Sequence, residues 1–120
     1  MYTIKTTELG EITVEKAVVE TIAGLAAVDC YGLVGMVAQD ITSGITSILG
    51  MESIRKGVSV SRSSDGLVVD VYVIVGYGLK IKEVAYNVMQ KVTYVLNNNA
   101  GLEVAHVNVN VKGVKVLGDK

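Results

Sequence analysis

The stretch GVSVSRSSDGLVVDVYVIVGYG, residues 57–78, decides the fold. Val58 and Val60 alternate with Ser59 and Ser61, the period of a strand with one buried face. Ser63-Ser64-Asp65-Gly66 is a turn signal. Leu67, Val69, Val71, Val73 and Val75 then mark one face of a second strand. The two runs read as an antiparallel hairpin. Gly76-Tyr77-Gly78 ends it. A strand this long with one aliphatic side needs a second layer to cover that side.

The cover lies on both sides of the hairpin. Downstream, Ile81, Val84, Ala85, Val88, Val92, Val95 and Leu96 form the strongest helical stripe in the chain. Residues 97–101 end it, with Gly101 suited to a left-handed cap. A last strand follows. Ala105, Val107, Val109 and Val111 share one face, and His106, Asn108, Asn110 and Lys112 the other. Upstream, residues 2–8 suggest a short strand. Thr13 then reads as an N-cap, with Glu15 in the first turn. Val14, Ala17, Val18, Ile22, Leu25 and Val28 continue at helical spacing. Gly24 inside that helix costs about 1 kcal/mol against alanine, which a close approach of the sheet or another helix would explain. The helix is expected to end within residues 29–32, and residues 33–38 read as a strand. Residues 39–56 carry Ile41, Ile45, Ile48 and Leu49, broken by Gly44 and Gly50. They are expected to be a partly helical, mobile connection. The expected fold is one α+β domain over residues 1–120. It is a two-layer sandwich in (β)αβββαβ order, with two helices packed on one face of a mainly antiparallel sheet.

Composition limits the chemistry. The chain has 120 residues, half of them hydrophobic, with no Trp, Phe or Pro and a formal net charge of −1. The core must therefore be aliphatic. The near-neutral charge gives no general attraction to nucleic acid. One cysteine excludes an intrachain disulfide and a cysteine-cluster zinc site. No basic segment leads into an apolar core at the start, so secretion is not expected and a cytoplasmic location is. The most apolar run contains Asp70 and falls short of the ~20 residues of a membrane helix. Lys112, Lys115 and Lys120 are fewer and more spread than the clusters of roughly 4–8 basic residues that hold a chain on an anionic surface.

Few residues suggest a site. His106 is the single histidine, and it falls among polar strand positions. Asp70 and Tyr72 lie on the outward side of their strand, together with Val68 and Ile74. If the two strands are neighbours, Val68, Asp70, Tyr72, Ile74, His106, Asn108 and Asn110 form one surface. Polar groups beside exposed aliphatics and a tyrosine suit a protein contact better than a catalytic centre. Gly76 and Gly78 precede a helix carrying Lys80 and Lys82, a candidate anion nest. It matches neither the dinucleotide fingerprint nor a P-loop, and a tight strand-to-helix turn serves equally well. Gly32-Leu33-Val34-Gly35 matches the GxxG of a KH domain. Its middle residues are apolar, and no basic residue lies between Lys16 and Arg55 to neutralise phosphate. Cys30 sits near a helix C-terminus beside Asp29, where a thiol is expected to be inert. No catalytic residue, metal site or cofactor is expected.

Ordered segments through most of the chain carry a resemblance. They are Gly10-Glu11-Ile12, Ile22-Ala23, Ala26-Ala27, Gly32-Leu33-Val34-Gly35-Met36 and Lys56-Gly57-Val58-Ser59-Val60. Val69-Asp70-Val71-Tyr72-Val73-Ile74-Val75-Gly76-Tyr77-Gly78 is the strongest. Residues 81–85, Gly101-Leu102, Val107-Asn108-Val109 and Lys112-Gly113-Val114 complete the set. In this order they resemble the alkaline shock protein family, the cell-envelope stress response proteins of mainly Gram-positive bacteria. The resemblance implies a non-enzymatic cytoplasmic protein of envelope or alkaline-stress homeostasis. It implies protein partners and membrane association only through a partner. Self-association into a homo-oligomer is expected from the outward sheet face. The resemblance also points to small members encoded beside fatty-acid-kinase-like genes. The alternative it leaves open is a binder of phosphorylated metabolites acting with such a kinase-like partner.

Overall fold

The structure, a computed structural model, describes residues 2–37 and 51–116. Strands β1 (Tyr2–Thr7) and β2 (Gly10–Val14) come first, then helix α1 (Lys16–Val28) and strand β3 (Leu33–Met36). A short helix α2 (Met51–Lys56), strands β4 (Val58–Ser63) and β5 (Gly66–Gly76), helix α3 (Ile81–Tyr94) and strand β6 (Val104–Lys115) follow. A π-helical turn, Val95–Asn99, extends α3. Gly101 then turns the chain at φ +72°, as the sequence suggests.

β5 is the axis of the main sheet. The inward side chains of Leu67, Val69, Val71, Val73 and Val75 are at most 4% exposed. They pack with Val19, Ala23 and Ala27 of α1, Ile54 of α2, and Val84, Val88 and Val92 of α3. Each buried valine or leucine contributes about 1.5–3 kcal/mol. All three helices thus share one core on one face of the sheet. β6 runs parallel to β5 along its length, with Val69 opposite Val107 and Val71 opposite Val109. The α3 crossover between the two strands permits that direction.

The other edge of β5 is shared. β4 pairs antiparallel with its first half, from Ser63 opposite Gly66 to Val58 opposite Val71. β3 pairs antiparallel with its second half, with Met36 opposite Val73. The handover occurs at Tyr72. Its N–H donates to the Gly57 carbonyl at 2.9 Å, and its carbonyl accepts from Val37 N–H at 3.1 Å. Gly57 lies so close to the departing chain that an added Cβ would meet Met36 Cβ at 2.9 Å and the Val37 carbonyl at 3.0 Å. The expected connection over residues 39–56 is helical at Met51–Lys56. Its remainder lies outside the described residues.

The start of the chain differs from the sequence reading. Residues 10–14 are a strand, with Thr13 paired to Thr3, so Thr13 caps no helix. Glu15 is the N-cap, in extended conformation and without a side-chain cap bond. The β-branched Ile12, Thr13 and Val14 favour strand, and a tight turn supplies their partner. Thr7 Oγ1 donates to the Gly10 carbonyl at 3.1 Å and accepts from Leu9 N–H at 3.1 Å. The turn at Ser63 has the same construction. Its Oγ donates to the Gly66 carbonyl at 2.9 Å and accepts from Asp65 N–H at 3.3 Å. Gly10 and Gly66 both have positive φ.

Gly24 is explained by α2. A Cβ there would collide with Ile54 Cγ2 and lie 3.0 Å from the Ile54 carbonyl. Gly24→Ala gains about 1 kcal/mol of helix propensity and incurs about 1–3 kcal/mol of overpacking. The expected outcome is a lower melting temperature. Ile54→Ala should cost less in the Gly24→Ala background than in wild type, because the two changes share one contact. Calorimetry of the four proteins checks this.

Candidate functional site

β5 and β6 are neighbours, so the outward residues of both strands lie side by side. Val68 is opposite His106, Asp70 opposite Asn108 and Tyr72 opposite Asn110. On the far side, Ser61 is opposite Val68 and Ser59 opposite Asp70. Asn108 Nδ2 donates to Asp70 Oδ1 at 2.9 Å, and Asn110 Nδ2 donates to the Val71 carbonyl at 3.4 Å. The amides tie the two strands together across the surface. His106 is exposed and Tyr72 half-buried. Burial raises the Tyr72 hydroxyl above the ordinary tyrosine value, and the neighbouring Asp70 carboxylate adds to the rise.

Ile74 departs from expectation. It is 1% exposed and offers no contact surface. It sits where β5 is flanked on both sides, opposite Gly35 of β3 and Gly113 of β6. Val37, two residues beyond Gly35, is buried as well. The aliphatic component of this face is therefore Val68, which is half-buried.

The glycines after β5 are taken up by the fold. Gly76 N–H donates to the Gly32 carbonyl at 3.0 Å, and Tyr77 N–H donates to the Lys115 carbonyl at 2.7 Å. Those two amides hold the sheet end together instead of facing an anion. Gly78 makes the turn at φ +92°. Lys80 and Lys82 are exposed, and the Lys80 ammonium lies 3.9 Å from Glu83. Leu33, Val34 and Gly35 of the GxxG stretch are strand residues of β3, not a loop around a phosphate backbone. Cys30 is half-buried, with its Sγ 3.6 Å from the Ala26 carbonyl. Burial pushes its thiol up. Lys91 opposes that and Asp29 reinforces it, and these two charges pair with each other at 3.2 Å.

One feature escaped the sequence reading. Tyr31-Gly32-Leu33 and Tyr77-Gly78-Leu79 are the same tripeptide. Both glycines turn at φ +92°, and the two segments, with Val34, line one apolar groove of about 280 Å³. Tyr31 and Tyr77 are 82% and 70% exposed. The repeated tripeptide was the available signal.

Among the described residues no group of three His, Cys, Asp or Glu is placed to hold a metal ion. No helix among them is long and apolar enough to cross a membrane. The fold and its outward polar face define a small α+β domain whose described helices all lie on one face of the main sheet. The chain belongs to the alkaline shock protein 23 family, of cell envelope-related function, which it matches over residues 4–116. It is 46% identical to the uncharacterized protein YloU of Bacillus subtilis, over 92% of each chain. It is 37% identical to the uncharacterized protein Spy1614 of Streptococcus pyogenes serotype M6, over 94% of each. A second Bacillus subtilis relative, the uncharacterized protein YqhY, is 31% identical over 91% of this chain and 80% of its own. No solved structure matches the chain.

The Tyr72 hydroxyl makes a pH prediction. Folded protein keeps this proton at a pH where unfolded chain has released it. Stability from this group is therefore full below about pH 10 and declines as pH rises through the folded value. Tyr72→Phe should show a shallower loss of stability on the alkaline side and no change near neutrality. Denaturant melts across pH 8–11, on the order of those values, measure the slope.

Proposed function

We propose that this chain is a non-enzymatic interaction protein of cell-envelope homeostasis, working in the cytoplasm and as a self-associated form. The outward surface around Val68, Asp70, Tyr72, His106, Asn108 and Asn110 is the face that meets a protein partner. A membrane is reached through that partner. One observation carries the reading: all three helices pack their core residues on the opposite face of β5, so no described helix covers this one. The side chains there are arranged for contact. Asp70 is held by Asn108, and Tyr72 stands half-buried opposite Asn110, next to Asp70 on the same face of β5. A tyrosine set among hydrogen-bonding amides and beside an aliphatic residue suits a protein contact.

A photo-crosslinking side chain at position 72 tests the reading in cells of the source organism. The same group at Lys82, exposed on α3, is the control. Position 72 should give a defined protein adduct and position 82 none. Tyr72→Ala and His106→Ala together should remove function in an envelope-stress assay while lowering stability by no more than about 2 kcal/mol. Adducts of equal yield from both positions would refute the face. A melting shift with phosphorylated metabolites would overturn the protein-contact reading in favour of a ligand site, since ligand at 100 times its Kd adds about 2.7 kcal/mol.

A further inference from the structure

β6 is a twelve-residue strand paired on one side only among the described residues. Hydrogen-bond parity fixes which of its backbone groups are unpaired. Tyr72 bonds toward β3 and β4, while Leu67 N–H donates to the Glu103 carbonyl and Tyr77 N–H to the Lys115 carbonyl. Odd residues of β5 therefore face β6 and even residues face away. In a parallel ladder, a β5 residue that faces β6 bonds the two residues flanking its opposite number. Val69, Val71 and Val73 are opposite Val107, Val109 and Val111, so Asn108 and Asn110 bond inward with both groups. The N–H and C=O of Val107, Val109 and Val111 point out of the sheet edge.

The pattern is bounded. Register shifts fall between Leu67 and Val68 and between Val73 and Ile74 of β5, leaving Ala105 and Lys112 as the extra residues in β6. Such bulges, and lysines, are how edge strands limit pairing. Between them the strand has the sequence His106-Val-Asn-Val-Asn-Val111 and carries no Asp, Glu, Lys or Arg. Its outward-pointing groups are symmetric about Val109. Two antiparallel copies centred there would place Val109 opposite Val109 and Val107 opposite Val111. Each such pair exchanges two backbone bonds. Asn108 would face Asn110 on the polar side. Val109 and Val111 are half-buried, and a second copy would complete their cover.

We propose that two copies of this chain join edge to edge through Val107, Val109 and Val111 of β6, as an antiparallel pair about a two-fold axis at Val109. This deepens the self-association in the reading above and rests on it. The occupant is a second copy because one strand supplies both complementary halves in a single register, with no like charges brought together inside it.

Sedimentation velocity over a concentration series tests it, together with hydrogen exchange of individual amides. The wild-type protein should dimerise. The Val107, Val109 and Val111 amides should gain protection as concentration rises, with those of Asn108 and Asn110 protected throughout. Val109→Pro removes an outward donor and no β5 bond, so dimerisation should weaken by at least about tenfold, both axial donors being lost. Asn108→Lys with Asn110→Lys sets lysines opposite each other across the axis. Dimerisation should then fail at low salt and return at high salt, which a folding defect would not do. A wild-type monomer at every concentration overturns both this inference and the self-association reading. Self-association unchanged in both variants, with no concentration-dependent protection of the three valines, overturns the edge pairing alone.

Discussion

The structure depends on the burial of one strand face. β5 sets four valines and a leucine in a row against the helices, and both its edges are hydrogen-bonded. β3, β4 and β6 pair with it and the three helices pack on it, while β1 and β2 pair with each other in a separate sheet. Because the row is mostly valine, its side chains are short, and the helix layer must come close to fill the space between. α1 meets that demand with Ala23, Ala26 and Ala27, all buried, while Gly24 makes room for Ile54 of α2. The absence of Phe and Trp and the small residues of α1 are one fact seen from two sides. A close-packed interior leaves little room for larger groups on either side of such a contact.

The same strand explains the shape of the outward face. One edge of β5 is divided between β3 and β4, with Tyr72 bonded to the chain as it leaves at Val37 and as it returns at Gly57. Tyr72 is thus pinned by its backbone at the centre of the sheet. Its side chain is set beside Asp70 and the β6 asparagines by strand alternation and register. The polar surface needs no loop to form. It is a consequence of register, and it is as rigid as the sheet beneath it.

Much of this was legible. A two-residue period over residues 67–75 and a helical period over residues 81–96 are long signals, and burial follows both of them except at Ile74, which is buried, and Ile81, which is exposed. Gly24 pointed to a close approach, which α2 provides. What was not legible has specific causes. Thr7 to Gly10 and Ser63 to Gly66 make the same turn, yet only the second lies between long alternating runs. The first joins short strands whose residues are mostly exposed, and such strands carry no clear pattern. On β6 the register shift at Ala105 hands the inward position to Val104, because a bulge breaks the period that alternation relies on. Ile74 was placed on the correct side of the strand. Periodicity gives a side and not what covers it, so its burial could not be read. Parallel pairing of β5 and β6 was equally hidden, since period two is the same in both directions.

The outward face and the open edge divide the work between side chain and backbone. On the face, the asparagines bond to Asp70 and to the Val71 carbonyl through one Nδ2 each, and a side-chain amide has further donor and acceptor capacity to offer a partner. At the edge, the valine backbone groups have no partner strand among the described residues. Pairing there exchanges water for amide bonds and covers half-buried valine in the same act. In the reading proposed above, self-association would use the edge and recognition of a different protein the face. The two do not compete for atoms. Joining β6 to β6 would set two copies of the Val68–Asn110 surface side by side on one continuous sheet, and a partner contacting both would be held by two sites at once, with the gain in retention that linked sites give.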